Sequence, residues 1–504
     1  MTIQNRLHNS PWYQFILPLV FFAAGASIIH FYGCFEFDPD EGINLMKAWL
    51  LDSDYQLYRE IWNDQPPLLT HLLASAFSII EPSVNLARGL ILLFATVLLW
   101  QTWLILYLLG GILHAYIGCL FLLIAPNYWK LSVSVMVGLP CITLAMGALL
   151  SIILWHSTRK NLWLIISALL LSLSVLTKLF TLFLAPIVAI GIILDRTRST
   201  KISWRQKLQA PALWIAVFLS FSLLILLSLV GIENIHLLVE NHTSARSIEA
   251  FKDIALRQSL RNDYRLFLVG FTVWGTIIAY QRQRWQMLYF GAWSFVAYSL
   301  LVNHRPIWYH QVLLLHIPAI VMVGYAMGEI ITTALSSGSS YLRFNWRIIL
   351  ALFTVAVFYS AVLLIGEQTK TTTKEIKSWQ KACNRNAIAT SLDRQFLNEI
   401  TESGSETNWI VTDSPIFAFR AGIPVPPFTA VLSRKQLETG NITEEQLINI
   451  IERYQPKQIF FKRFDWLGLN GFLAQNYRLT KQTDNFRLYI RNDTDRETSN
   501  KASI

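Results

Sequence analysis

Two acidic segments carry the residue types that could do chemistry. Asp38-Pro39-Asp40-Glu41-Gly42 follows the first long apolar run, and Trp62-Asn63-Asp64-Gln65-Pro66-Pro67-Leu68 lies some two dozen residues further on. In the first, Asp38 has the type and place of a helix N-cap, Pro39 suits the first helical position, and Glu41 completes a capping box. Acids in a first turn also complement the helix dipole. That reading accounts for Asp38 and Glu41 and leaves Asp40 without a structural task. In the second segment the tandem prolines mark a rigid turn, which holds Asp64 on the same loop as Asp40. Two carboxylates on one loop offer a general base and a ligand for a hydroxyl or a divalent metal ion.

Basic residues supply the complementary chemistry. Lys178, in Leu176-Thr177-Lys178-Leu179, interrupts an apolar stretch; such a lysine either snorkels to the surface or binds an anion. Asn303-His304-Arg305-Pro306-Ile307-Trp308-Tyr309-His310 reads either as an aromatic belt with one arginine or as a phosphate-binding cluster. Arg305 offers a planar fork, and Tyr309 and His310 offer further donors. His242, in Glu240-Asn241-His242, is read as a solvated loop histidine ahead of a metal ligand. The chain has 4 cysteines. Cys119 and Cys141 sit inside apolar runs as small buried residues, and the wide separation of Cys34 and Cys383 argues against a disulfide between them.

These residues are positioned by a membrane protein. The 504 residues are 53% hydrophobic and only 15% charged, where a soluble domain carries about 25% charge. Apolar runs fall near 12–32, 86–109, 112–128, 131–155, 161–177, 179–195, 210–231, 265–281, 286–302, 311–331 and 347–366. Each approaches the length of a helical span, and hydrocarbon leaves the backbone no partner but itself. The expected fold is therefore a mainly α, polytopic bundle of about eleven spans. The pair flanking Lys178 is short for two spans, so one of them is expected to be tilted or broken. The first run is long, lacks a convincing cleavage site and is followed by many more, so it reads as a span rather than a signal peptide.

The formal charge of +10 does not point to nucleic acid, because many of the basic residues sit in short loops between apolar runs. With the N-terminus inside, the loops containing Arg159–Lys160, Arg196–Lys207, Arg282–Arg284 and Arg343–Arg347 are all cytoplasmic and all net basic, as the positive-inside bias requires. The loop 33–85 is then outside and net acidic, and its apolar stretch Pro66–Ile80 is too short to span, so it reads as a surface-lying or re-entrant helix. Residues 1–366 form the expected transmembrane catalytic domain, 367–491 a small outer α/β domain, and 492–504 a polar, disordered tail. Within the small domain Trp409–Thr412 and Gln458–Phe461 read as strands, Thr443–Gln446 as a capping box, and Tyr477–Thr480 with Phe486–Ile490 as a hairpin.

In this order the elements resemble the GT-C glycosyltransferases, and within them protein O-mannosyltransferases and aminoarabinose lipid A transferases. The resemblance rests on the acidic pair after the first span, the Pro66-Pro67-Leu68 helix, Asn85-Leu86-Ala87-Arg88, Leu176-Thr177-Lys178, and Ile307-Trp308-Tyr309-His310. It implies inverting transfer of a sugar from a polyprenyl-phosphate donor to a lipid, glycan or protein acceptor. It further implies a multi-pass protein of a bacterial plasma (inner) membrane, with the C-terminal domain extracytoplasmic. By the same resemblance Asp40 is the general base with Glu41 beside it, and Asp64 falls at an acidic, metal-associated position. Lys178, Arg305, Tyr309, His310 and Gln65 fall in segments that face the donor phosphate. Two departures put metal dependence in question: Gln65 stands where relatives often have lysine, and Val137-Gly138-Leu139-Pro140 lacks an acid that relatives often carry. Competing readings are a flippase for a lipid-linked glycan, against which the chain shows no internal repeat, and a non-catalytic subunit of a cell-envelope glycan assembly complex.

Overall fold

The computed structural model describes residues 3–8, 11–28, 33–195, 204–243, 263–303, 308–336, 344–383, 391–404, 409–433, 436–437, 440–483 and 485–492. They form two compact units. One comprises 1–31, 88–229 and 249–381; the other comprises 32–87, 230–248 and 382–504.

Among the described residues of the first unit every regular element is a helix. Among the described residues four helices, Val84–Leu109, Gly138–Thr158, Lys207–Val230 and Tyr309–Ala334, are long and apolar enough to cross a membrane. Shorter apolar helices cover Trp12–Ser27, Ile112–Leu123, Asn161–Thr177, Leu179–Ile193 and Phe267–Gln281. Leu288–Asn303 and Phe344–Ala382 are helical too. The apolar content makes the chain an integral membrane protein.

One departure from the sequence reading occurs in this unit. The runs expected at 112–128 and 131–155 form helices with different bounds. The helix stops at Leu123, a short turn covers Tyr128–Leu131, and the next helix begins at Gly138. Pro126 lacks an amide donor, and Asn127 turns into the left-handed region at φ 62°. Between 161 and 193 the helix breaks where the runs 161–177 and 179–195 were expected to meet: Lys178 is extended at φ −157°, ψ 125°. A break inside an apolar segment must find partners for its backbone. Ser174 accepts through its carbonyl from the Lys178 amide at 3.0 Å. The Ser174 hydroxyl donates to the Cys141 carbonyl at 2.7 Å and lies 2.8 Å from Thr181 Oγ1. The Cys141 thiol and the Thr181 hydroxyl both reach the Lys178 carbonyl, at 3.5 and 3.3 Å.

The second unit is built on a four-stranded sheet of order β1-β2-β4-β3, with β1 at Ile410–Thr412, β2 at Gln458–Phe461, β3 at Tyr477–Gln482 and β4 at Arg487–Arg491. β1 and β2 run parallel, and β4 is antiparallel to both β2 and β3. The pleat of β2 divides its side chains between two faces. Ile459 and Phe461 enter a cluster with Val411, Leu447, Ile451, Trp466 and Tyr477, while Phe460 packs at tilted angles among Phe396, Phe417 and Phe486. The helix Glu444–Tyr454 starts at the Thr443–Gln446 capping box that the sequence announces.

The same unit holds the loop after the first span. Helix Pro39–Asp52 packs against helix Leu68–Phe77, the short apolar helix of that loop. It also packs against helix Pro415–Ala421 and the 3-10 turn Pro427–Val431 of the C-terminal segment. Gly42 makes the closest approach: a Cβ there would lie 2.4 Å from the Ile416 nitrogen. Phe35 packs tilted against Phe417, and Trp49 packs edge-on against Phe419. Cys34 and Cys383 are joined in a disulfide, contrary to the expectation from their separation in sequence. Distance along the chain is a poor guide when the C-terminal segment folds back onto the first loop.

Candidate active site

The helix that carries Asp40 is fixed at its start by three local contacts. Asp38 is extended at φ −153°, and its carboxylate accepts from the Asp40 amide at 3.0 Å. Pro39 takes the first helical position, where no amide donor is needed. Glu41 does not close the capping box back onto Asp38; its Oε2 accepts from the Phe37 amide at 2.7 Å, one residue further out. Glu41 is fully buried, so its carboxylate anchors the incoming chain.

Asp40 emerges from this cap half-buried. Burial pushes its carboxyl up to about 6; Asp38 and Asp64 push the same way, and Arg463 and Lys47 oppose them. Asp64 is also half-buried, next to Asn63, which is wholly enclosed. Asn63 organises the turn before the tandem prolines. Its Nδ2 donates to the Gln65 carbonyl at 2.7 Å, and Tyr58 donates to the same carbonyl at 2.6 Å. Asn241 Nδ2 donates to the Asn63 carbonyl at 3.3 Å, from the helix Ile235–Thr243. Lys47 Nζ donates to Asn63 Oδ1 at 2.9 Å, although Lys47 is only 2% exposed.

The C-terminal segment contributes to this cluster. Arg420 donates to the Cys34 and Phe35 carbonyls at 2.8 Å, just ahead of the Asp38 cap. Asp413, at the end of β1, is buried and accepts from the amides of Lys462, Arg463 and Phe464 at 2.9, 3.0 and 2.9 Å. Burial raises the Asp413 carboxyl, and these amides oppose that. The turn they shape carries Arg463, whose charge acts on Asp40. Glu36 lies near Lys462 and Arg463, and burial pushes its carboxyl up to about 7.

The first unit holds a separate cationic cluster. The turn Tyr309–Val312 opens at Trp308, whose amide donates to Gln311 Oε1 at 3.1 Å. Lys130 Nζ lies 4.3 Å from the centre of the Tyr309 ring, and Lys178 Nζ 5.0 Å from that of Phe180. Both ammonium groups act electrostatically on His310. Arg305 and the side chain of His242 lie outside the described residues.

A divalent metal fits this arrangement poorly. Among the described residues no three His, Cys, Asp or Glu side chains are grouped to hold one, and Asp40 and Asp64 share an ammonium partner in Lys47.

No family model and no curated protein matches the sequence. Solved structures do. ArnT from Cupriavidus metallidurans bound to undecaprenyl phosphate is 13% identical, with 94% of this chain and 98% of that chain covered at a TM-score of 0.61. Its apo state gives 14% identity, 94% and 97% coverage, and a TM-score of 0.62. The archaeal oligosaccharyltransferase AglB from Archaeoglobus fulgidus, in complex with an inhibitory peptide and a dolichol-phosphate, is 11% identical. There the coverage is 96% of this chain and 75% of that chain, at a TM-score of 0.50. The fold is that of the GT-C glycosyltransferases.

The second unit gathers Asp40, Asp64 and Glu41, while the Gln65 backbone is engaged in the turn that presents Asp64. The first unit gathers Lys178, Tyr309 and His310. Lys47, Lys130 and Arg463 join them without having been singled out from the sequence. For Lys47 a signal was present: Asp40, Asn44 and Lys47 recur at i, i+4 and i+7, one polar face of a helix. Arg463 had none, because its place depends on the sheet bringing β2 beside β1.

Proposed function

We propose that the chain is a membrane glycosyltransferase that moves a sugar from a polyprenyl-phosphate-linked donor to an acceptor hydroxyl on the extracytoplasmic face, with Asp40 as general base. The observation that carries this is Asp40 itself: half-buried, held by the Asp38 cap, and raised to about 6 by burial and neighbouring acids. A base tuned toward neutrality accepts a proton more readily than a solvated carboxylate and is still ionised at neutral pH. The GT-C fold supports the reaction class.

In the reaction the acceptor oxygen attacks the anomeric carbon as Asp40 takes its proton. The bond from that carbon to the phosphate oxygen breaks on the opposite face, with inversion, and polyprenyl phosphate leaves with the electron pair. Within the first unit, Lys178, Lys130, Tyr309 and His310 are residue types that suit a phosphate. Arg305 belongs to the same set by its place in sequence. Glu41 acts as the anchor of the helix start, not as a second base. No step is assigned to a metal ion.

Mass spectrometry of lipid co-purifying with the protein identifies the donor. Reconstituted protein then converts that lipid and an acceptor to a covalent glycoside, and Asp40→Asn inserts normally but does not. Movement of the lipid across liposomes without any covalent product would instead show a flippase.

A further inference from the structure

Lys47 is a buried amine that the proposed reaction does not use. It lies seven residues after Asp40, two helical turns on and therefore on the same face. Helical side chains lean toward the N-terminus, so the long Lys47 stem runs back toward the first turn, where Asp40 sits. Its Nζ donates to Asn63 Oδ1 at 2.9 Å, immediately beside Asp64, and the residue is only 2% exposed. A lysine is rarely enclosed to this degree without anionic partners; burial lowers the Lys47 ammonium, and the charges of Asp64 and Asp40 oppose that.

Asp64 raises the Asp40 carboxyl, and a cation near both eases this, because like charges raise each other's cost of ionisation. A divalent metal is one way to supply it and brings its own ligand requirement, six or more oxygens for the hard cations. Asp40 and Asp64 do not gain a third His, Cys, Asp or Glu among the described residues. Asn63, a neutral oxygen donor that could have joined them, is turned onto the ammonium.

From this we infer that Lys47 is a built-in counter-cation: its ammonium stands between Asp40 and Asp64 in the place a divalent ion would take, and sugar transfer by this chain is independent of divalent metal. The inference rests on Asp40 being the base of a sugar transferase. Lys47 is in this sense a positioning residue, acting on the acceptor through Asp40. Its ammonium, together with Arg463, counters Asp38 and Asp64 around the Asp40 carboxylate.

The test has three readouts on full-length protein in detergent. Manganese(II) titrated into metal-stripped protein and followed by electron paramagnetic resonance is expected to show no site that Asp64→Asn removes. This measurement needs no activity, so it decides the counter-cation separately from the reaction class. Transfer is expected to persist in EDTA and not to rise on adding manganese. Lys47→Met is expected to lower kcat about a hundredfold, the scale of losing one preorganised electrostatic partner, and to move the acidic limb of the pH profile upward. Lys47→Arg restores most of the rate by returning the charge. A stoichiometric manganese site lost in Asp64→Asn, or transfer abolished by EDTA and restored by manganese, overturns the inference. An unshifted pH limb in a folded Lys47→Met protein overturns it as well. Absence of transfer from any polyprenyl-phosphate sugar, with the manganese result as expected, overturns the reaction class and leaves the counter-cation standing.

Discussion

Asp40→Asn should make the protein more stable and less active at the same time. The Asp40 carboxyl is raised from 3.8 to about 6, a shift of about two units at about 1.36 kcal/mol each. Full burial would make that roughly 3 kcal/mol; partial exposure discounts it to about 1–2 kcal/mol. The sign follows from linkage. Below pH 3.8 Asp40 is protonated in both folded and unfolded chains and costs nothing. Between 3.8 and about 6 the unfolded chain ionises first, so stability declines as pH rises, and above about 6 the full cost is present. Asparagine keeps the shape and removes the charge. The Asp38 contact is made by the residue 40 backbone amide, so the helix start is unaffected. Thermal unfolding of purified protein in detergent should therefore coincide for the two proteins near pH 4 and favour the variant at pH 8. Transfer by the variant should fall roughly 10²–10⁴-fold, the range for losing a general base. In the wild type kcat/KM should rise with pH through an apparent value near 6. An Asp40→Asn protein that is less stable at pH 8, or that transfers at the wild-type rate, refutes the assignment.

Further outcomes follow from the same unit. Gly42→Ala places a methyl 2.4 Å from the Ile416 nitrogen and 2.9 Å from its Cα; backbone cannot yield as a side chain would, so stability should fall by about 1–3 kcal/mol in thermal unfolding. Replacing Cys34 and Cys383 by serine removes a closure of 349 residues and should cost about 2–4 kcal/mol; the loss should be reproduced in wild type by reductant. Asp413→Ala leaves the Lys462, Arg463 and Phe464 amides without their carboxylate, at roughly 1–3 kcal/mol for each buried group not recovered by water. Asp413→Asn should lose less, and hydrogen exchange of those three amides should accelerate in the alanine variant.

Much was legible in the sequence because membrane and helix-end physics are local. Hydrocarbon forces apolar runs into helices, and helices appear at the expected runs. The cap at Asp38-Pro39, the capping box at Thr443 and the strands of the small sheet are each written in a few adjacent residues. Lys178 marked its own break, a charge between two apolar runs. The stop after Leu123 was harder: apolar composition continues past it, while the backbone turns because of one missing donor at Pro126 and one left-handed residue at Asn127.

Asp40 could be read from sequence because a cap needs Asp38 and has no use for its neighbour but one. What Asp40 faces could not. Lys47 lies within one helix, yet its partner Asn63 comes from the turn before Pro66, and Arg463 arrives only because Asp413 shapes the turn after β2. The disulfide joins residues 349 apart in sequence for the same reason. Residue type and spacing determined that a carboxylate would stand at a helix start in a membrane protein. Which charges surround it, and so how tightly it holds its proton, was decided by segments that only the folded chain brings together, because electrostatic interaction depends on distance in space and not along the backbone.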